Sequence, residues 1–435
     1  MSESNVNLVI RGKVLIDGRG GSPVSPGLVA IAGKKIVYAG SAVETPLFPG
    51  AQTVDLAEAC LLPGLIDMHV HPTYYWEEPD SATYTYEPEG SLVYSAVMIA
   101  LLATGKLREA LLAGVTTARD TGAVNGIIFD VKRAIQKGPV PGPKLYVAGR
   151  LIVPTGGHVH YLPGLANEAD GPYGFRRAVR EEIRAGADFI KIANNGADLT
   201  QEELDAAVDE AHRLGKKVAC HSSRPPAQRM AIEAGVDTFE HGAPAAEEID
   251  LAVEKGIAWT PTLNISQEYL NWCKGKQQEA KSEERRRAER GSEEHGTRDT
   301  KYEIRSIQKG TTNWQREYEE TAEYLERKRA SIEYALRAGL KLVAGTDSWM
   351  GGVRFGAIAD ELRWLVEYGC TPMQAIQAAT VWPAQAMGWA DIGSLEPGKL
   401  ADVVAVAGDP LADIWAMHRV VLVVNEGEVV QGSSA

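Results

Sequence analysis

Apolar residues in this 435-residue chain follow two rhythms. From Leu8 to Leu56 they come in short runs broken by glycine: Leu8-Val9-Ile10-Arg11, Val14-Leu15-Ile16, Gly27-Leu28-Val29-Ala30-Ile31, Gly33-Lys34-Lys35-Ile36-Val37-Tyr38-Ala39-Gly40 and Thr53-Val54-Asp55-Leu56. No helix-period stretch of useful length separates these runs, so the region predicts an antiparallel sheet. The tail returns to the same rhythm in Ala401 to Val406, Val420 to Val424 and Glu428 to Val430, with a turn at Gly427 between the last two. Two half-sets of strands at opposite ends of a chain can complete one sheet domain, because termini often lie close together.

Between them the pattern becomes strand, loop, helix, repeated. Eight apolar runs predict strands at Leu65 to Val70, Val115 to Arg119, Lys144 to Ala148, Asp188 to Ile192, Lys217 to His221, Thr238 to His241, Ala258 to Leu263 and Lys341 to Asp347. The intervening stretches carry helical periodicity and end signals. Thr200-Gln201-Glu202-Glu203 opens Leu204 to Leu214 in an arrangement close to a capping box, and Gly215 stops it. Eight such units predict an α/β fold: a (β/α)8 TIM barrel over residues 61–391, with a small β-sandwich domain composed of 1–60 and 392–435. The segment from about 265 to 335 breaks the even spacing with a dense Lys, Arg and Glu run, Gln277 to Arg290, followed by Tyr302 to Arg329 with Trp314, Tyr318 and Tyr324 interspersed. On one reading this is a solvated helical face. Its place after the seventh strand makes it a helical lid or a subunit contact on the other.

Composition removes several function classes. An apolar fraction of 44% with 24% charged residues is ordinary for an enzyme. A net charge of -13 repels a phosphate backbone and argues against nucleic acid as a partner. Residues Met1 to Asn5 hold no basic region followed by an apolar stretch, and no run of eighteen apolar residues occurs, so the expectation is a cytoplasmic protein without a membrane partner. Cys60, Cys220, Cys273 and Cys370 lack paired spacing, against both a disulfide framework and a thiolate zinc knuckle. Strand parity turns Cys220 away from the face of His221 and makes it a packing residue.

The candidate chemistry collects at strand ends, where a barrel keeps its active site. His69 and His71, at i and i+2, share one strand face. Lys191, His221, His241 and Asp347 close the fourth, fifth, sixth and eighth runs. Imidazole and carboxylate donors suit zinc first, with manganese, nickel or iron also compatible. The lysine is the odd member, since an ammonium beside a dication is electrostatically unfavourable. Lys191 must be neutral and desolvated, pair with an acid, or be carboxylated at Nζ into an anionic bridge between two metals.

These motifs in this order resemble the amidohydrolase superfamily, in its imidazolonepropionase-like and prolidase-like branch. The resemblance rests on His69 and His71 in Pro-Gly-Leu-Ile-Asp-Met-His-Val-His, Lys191 in Phe-Ile-Lys-Ile, His221 in Ala-Cys-His-Ser, His241 in Phe-Glu-His-Gly and Asp347 in Ala-Gly-Thr-Asp-Ser. It extends to Gly393-Ser394-Leu395-Glu396-Pro397-Gly398-Lys399-Leu400-Ala401-Asp402, where such chains return to the small sheet domain. It implies two divalent metal ions, zinc first, on a carboxylated Lys191, and attack on a carbonyl by metal-activated hydroxide, with Asp347 carrying the proton to the leaving nitrogen.

Gly156-Gly157-His158 matches a substrate-contacting loop of that branch. His158 is thereby a candidate for polarising the carbonyl, with Tyr161 as a second donor, while His160 is a loop histidine on the alternative view. Arg224 and Arg354 are cationic groups placed to meet a substrate carboxylate, and Tyr74 to Trp76 could line an apolar pocket. Asn194 and Asn195 stand where the branch tends to glycine or serine, a departure that bears on specificity. The expected activity is hydrolysis of an amide or peptide-like C-N bond in a small molecule with a free carboxylate. An aryl amide of the ochratoxin type, a cyclic amide or a lactone are the alternatives, and a non-catalytic scaffold is disfavoured because no ligand is missing. The superfamily's habit also implies a homo-oligomer.

Overall fold

The computed structural model describes residues 6–43, 48–74, 94–160, 162, 164–196, 198–290, 313–349 and 353–432. The strands in chain order are β1 (Leu8–Leu15), β2 (Gly27–Ala32), β3 (Lys35–Ser41), β4 (Gln52–Pro63), β5 (Leu65–Val70), β6 (Val115–Asp120), β7 (Lys144–Val147), β8 (Leu151–Val153), β9 (Ala166–Glu168), β10 (Ile190–Asn194), β11 (Val218–Ser222), β12 (Thr238–Glu240), β13 (Ala258–Thr260), β14 (Val403–Ala407), β15 (Val420–Asn425) and β16 (Glu428–Gln431). The helices are α1 (Ala96–Leu112), α2 (Ile127–Gln136), α3 (Gly171–Ala185), α4 (Gln201–Arg213), α5 (Ala227–Ala234), α6 (Ala246–Lys255), α7 (Leu263–Arg290), α8 (Trp314–Ala338), α9 (Ile358–Glu367), α10 (Pro372–Ala378) and α11 (Val381–Met387). Among the described residues no helix is long and apolar enough to cross a membrane.

The two rhythms of the sequence become two bodies of structure. Both chain ends meet in one seven-stranded sheet, ordered β16-β15-β14-β4-β1-β2-β3. Its pairs are antiparallel except β1 with β4, which run parallel. The strands read as near-continuous apolar runs because both faces are covered. Leu8, Ile10, Val29 and Ile31 pack with Leu61 and Val403 on one side, and Val9, Leu28 and Ala30 pack on the other. Only Gly64 separates β4 from β5, so the sheet hands the chain directly to the barrel.

Parallel strands β5, β6 and β7 form one arc of the barrel and β8, β10, β11, β12 and β13 the other. The eighth position is the extended run predicted at Lys341 to Asp347. Its carbonyls and amides bond to both neighbours: Met68 N donates to Ala344 O at 2.9 Å and Asp347 N to His69 O at 2.8 Å, while Trp259 N donates to Lys341 O at 3.0 Å. Gly345 permits that close approach, since a Cβ there would lie 2.8 Å from the Cβ of His69. The third position differs from the sequence expectation. It is shared, with β7 pairing to β6 and the short β8, beside β9, pairing to β10. At α4 the capping box forms, Glu203 N donating to Thr200 Oγ1 at 3.3 Å and Thr200 N to Glu203 Oε2 at 2.9 Å. Gly215 takes the left-handed conformation that follows the helix, at φ 71°.

Helices α7 and α8 make the departure near 265 to 335. They pair through Tyr269 OH on Glu317 (3.2 Å) and an edge-on Trp272–Trp314 contact with ring centroids 4.8 Å apart. Buried Lys328 of α8 donates to Pro261 O at 2.7 Å, and Ser331 Oγ to Pro244 O at 2.8 Å, so the pair is tied to the loops after β13 and β12. At the start of α7, buried Glu361 accepts the amides of Leu263 (3.0 Å) and Asn264 (2.7 Å).

Candidate metal centre

The carboxyl ends of the strands bring most of the singled-out residues into one buried cluster. His69 and His71 leave β5 on the same face, their Nε2 atoms 3.2 Å apart. Asp347 Oδ1 lies 3.5 Å from each of those nitrogens. His241 closes the group, its ring centroid 4.8 Å from that of His69 and its Nδ1 3.7 Å from Asp347 Oδ2. Within each of two sets, His69, His71 and Asp347, and His69, Glu240 and His241, potential ligand atoms lie within 4.8 Å of one another. His241 (φ 63°) and Asp347 (φ 53°) both hold left-handed backbone, which costs a non-glycine residue roughly 1 kcal/mol or more. Surrounding bonds impose that conformation on His241: its amide donates to Thr260 O at 2.9 Å and its carbonyl accepts Trp259 Nε1 at 2.6 Å.

Lys191 on β10 is buried at the centre of this cluster. Its Nζ touches Oε2 of Glu240, a residue that sequence reasoning passed over. Glu240 is fully buried; its Oε1 accepts Arg119 Nη2 at 2.5 Å, and its Oε2 stands 3.1 Å from His69 Nδ1. Of the states left open by the sequence, an acid partner is therefore physically beside the lysine. Burial brings the Lys191 amine down to about 7, with the Arg119 charge acting in the same direction. A second overlooked acid, Asp120 at the end of β6, is pushed well above the carboxylate range by burial.

The donor set fits a divalent cation. Burial holds His69, His221 and His241 well below the ordinary imidazole value and takes His71 down to about 3, so all four are neutral near pH 7, the form that ligates metal. His71 Nδ1 faces Gly122 O at 3.1 Å, which fixes the proton there and leaves Nε2 with its lone pair toward His69 and Asp347. His241 Nδ1 lies 2.8 Å from Thr262 Oγ1. Nζ of Lys191, Nδ1 of His69 and Oε2 of Glu240 are buried without a well-formed hydrogen bond, although they crowd together. Such a cluster of polar atoms is what a bound cation would reorganise.

On the far side of His241 lies a second set. His221 approaches His241 with ring centroids 4.6 Å apart and stacks on His158 at 4.2 Å. Asn195 joins the two, its Oδ1 2.9 Å from His221 Nε2 and its Nδ2 2.9 Å from His158 Nδ1. Ser223 Oγ also lies 2.7 Å from His221 Nε2, so that nitrogen faces side chains here and stands apart from the tight His69, His71 and Asp347 group. Burial brings His158 down to about 4. A cavity of about 1050 Å³ opens from His158, Asn195 and His221, passes Arg224 and is walled by Tyr269 and Tyr324 of α7 and α8.

The remaining expected contacts are spread around this site. Tyr74 stacks on His71, with centroids 4.4 Å apart and planes 14° from parallel. Tyr161 and Trp76 lie outside the described residues. Arg354 is exposed and does not line the cavity; its carbonyl accepts Ser348 Oγ at 3.2 Å. His160 Nδ1 sits 2.8 Å from Gly157 O within its own turn. Cys220 is buried opposite His221, as strand parity requires, and burial raises its thiol to about 11.

Known proteins are similar to this chain over nearly its whole length. Ochratoxinase from Aspergillus niger is 29% identical over 451 aligned residues, covering 95% of this chain and 83% of that protein. Among solved structures, a Xaa-Pro dipeptidase with methionine bound in its active site superposes with a TM-score of 0.80 at 28% identity, covering 98% of this chain and 100% of that one. The A. niger ochratoxinase crystal structure gives a TM-score of 0.78 at 24% identity, with 98% and 96% covered, and shares the fold. The amidohydrolase family model matches residues 60–430, from the end of β4 to the last strand. By that match the chain belongs to the amidohydrolase family.

Proposed function

We propose that this hydrolase cleaves an amide or peptide-like C-N bond in a small molecule bearing a free carboxylate, such as a dipeptide or an N-acyl amino acid. The observation that carries the reading is the meeting of His69, His71 and Asp347, potential ligand atoms within 4.8 Å, in a buried pocket beside Lys191. In this reading His69, His71, Lys191 carboxylated at Nζ, His221, His241 and Asp347 hold two divalent ions, zinc first. Bound there, such ions acidify water and polarise a carbonyl.

The chain's own groups supply the rest. Burial raises the Asp347 carboxyl to about 7, so near neutral pH its Oδ atoms can take a proton from attacking water and return it to the leaving nitrogen. His158 receives Asn195 Nδ2 at Nδ1, which places its own proton on Nε2, free to donate to the substrate carbonyl oxygen. Arg224 on the cavity wall pairs with the carboxylate. A second reading, an aryl amide, is favoured by the likeness to ochratoxinase and by Tyr74 stacked on His71.

Metal stoichiometry and a substrate panel test the proposal. Two metals per chain are expected, and one metal with a free Lys191 amine would sink the two-metal version. Dipeptides, N-acyl amino acids and N-aroyl amino acids are expected to be hydrolysed only when the carboxylate is free. Equal turnover of carboxylate-free amides or lactones defeats the specificity assigned here.

A further inference from the structure

The cavity that opens from His158 and His221 holds a polar group that nothing in the hydrolytic centre uses. Gln228, on the first turn of α5, lines this cavity and is 1% exposed. Among the described residues, neither Nε2 nor Oε1 of its carboxamide has a hydrogen-bond partner. The side chain reaches toward the turn after β12, where a Cβ on Gly242 would collide with Gln228 Nε2. The carboxamide therefore sits next to Gly242, the residue that follows His241. An unpaired buried donor and an unpaired buried acceptor are each destabilising, and a matched ligand group removes both penalties at once.

We infer that Gln228 is the specificity-determining contact for a second, neutral amide in the substrate, next to the one that is cleaved. The matching of groups leads to this class. A carboxylate would satisfy only Nε2 and an ammonium only Oε1, and the same cavity already offers Arg224 and Arg327 to the first and Glu317, Glu320 and Glu323 to the second. A secondary amide presents one C=O and one N–H and answers the carboxamide at both ends. The substrate class becomes an N-acylated dipeptide or longer peptide-like molecule, in preference to a simple N-alkanoyl amino acid. This inference rests on the amide-hydrolase reading above.

A matched pair of compounds tests it. N-acetylglycyl-L-phenylalanine and N-pentanoyl-L-phenylalanine have acyl chains of similar length, the same amide to phenylalanine and the same free carboxylate; only the first carries a second amide. With the zinc-loaded full chain, phenylalanine release is expected to favour the first compound about tenfold or more in kcat/KM, the worth of one to two neutral hydrogen bonds. In Gln228→Met the preference should fall to near unity through a raised KM for the acetylglycyl compound, with the pentanoyl compound unaffected. The thermal midpoint should hold or rise, because an unpaired buried amide is replaced by an apolar side chain of similar length. No preference in the unmodified enzyme, or an equal loss on both compounds in Gln228→Met, overturns the inference. If neither compound is hydrolysed, it is the proposed reaction that fails, and calorimetric titration of the two still decides about Gln228: about tenfold tighter binding of the acetylglycyl compound supports it and equal binding overturns it.

Discussion

Oε2 of Glu240 stands 3.1 Å from Nδ1 of His69, so an acid at the end of the sixth strand backs an imidazole from the first. Its other oxygen is held by the buried guanidinium of Arg119 on β6. With Lys191 of β10 also touching Oε2, four strands meet at one carboxylate, which packs against His69 and fills the space beside its Nδ1.

Glu240→Gln should show this in two separate measurements. Metal affinity, read by competition with a chromogenic chelator, should weaken about 10- to 100-fold as the negative charge beside His69 Nδ1 is lost. Chemical unfolding of the metal-free protein should reveal a loss on the order of 3 kcal/mol, because Arg119 is left buried without its counter-charge. Unchanged values in both assays would remove Glu240 from the design of the site.

Asp347→Asn separates proton transfer from substrate binding. The expected outcome is a fall in kcat of about 10²- to 10⁴-fold with KM little altered. Metal content is measured alongside; a variant that keeps its metals and most of its kcat contradicts the proton-carrying role.

Carboxylation of Lys191 should depend on pH in a defined direction. Burial lowers the amine to about 7 from its ordinary 10.5, and only the neutral amine attacks CO2. At constant dissolved CO2, the neutral fraction rises from about a tenth at pH 6 to about nine-tenths at pH 8, so labelling should rise and level off over that window. Carbon-13 NMR of metal-free protein under labelled CO2 reads the carbamate directly. A signal persisting in Lys191→Met would place the label on another lysine.

Lys328→Met probes the tie between the helical pair and the barrel. The ammonium donates to Pro261 O, next to Thr262, whose hydroxyl meets His241. Removing it leaves a buried carbonyl unpaired, for an expected loss of about 1–3 kcal/mol in urea unfolding. KM should rise more than kcat falls, since α7 and α8 wall the cavity. A variant as stable as the parent contradicts this account of the tie.

The barrel strands outside the split third position, and the terminal sheet, were legible because alternation, glycine punctuation and strand length carry them locally. His69 and His71 were legible for the same reason, since i and i+2 on a strand can only share a face. Glu240 was not, and its signal was parity: Phe239 packs outward against Trp259, which turns the intervening glutamate toward the barrel interior, where an acid needs partners. Those partners, Arg119 and Lys191, come from two other strands, and a linear reading cannot pair them. Asn195 stood out as a departure from the resembled branch, but its bridge between His158 and His221 depends on two loops meeting in space. Gln228 gave no signal, because its position in a short helix reads as ordinary surface polarity until the cavity is seen behind it.

The pairing of β4 with both β1 and β14 has a consequence for how the chain is made. On the ribosome, β1 to β4 emerge early, yet the strand that covers the second edge of β4, Val403–Ala407, is translated after the whole barrel. Throughout that interval the apolar run Cys60-Leu61-Leu62 presents unpaired amides and carbonyls to whatever nascent chain lies nearest. Fragments ending before residue 403 are thus prone to aggregate, and chaperone capture of the early half-sheet should raise the yield of folded protein.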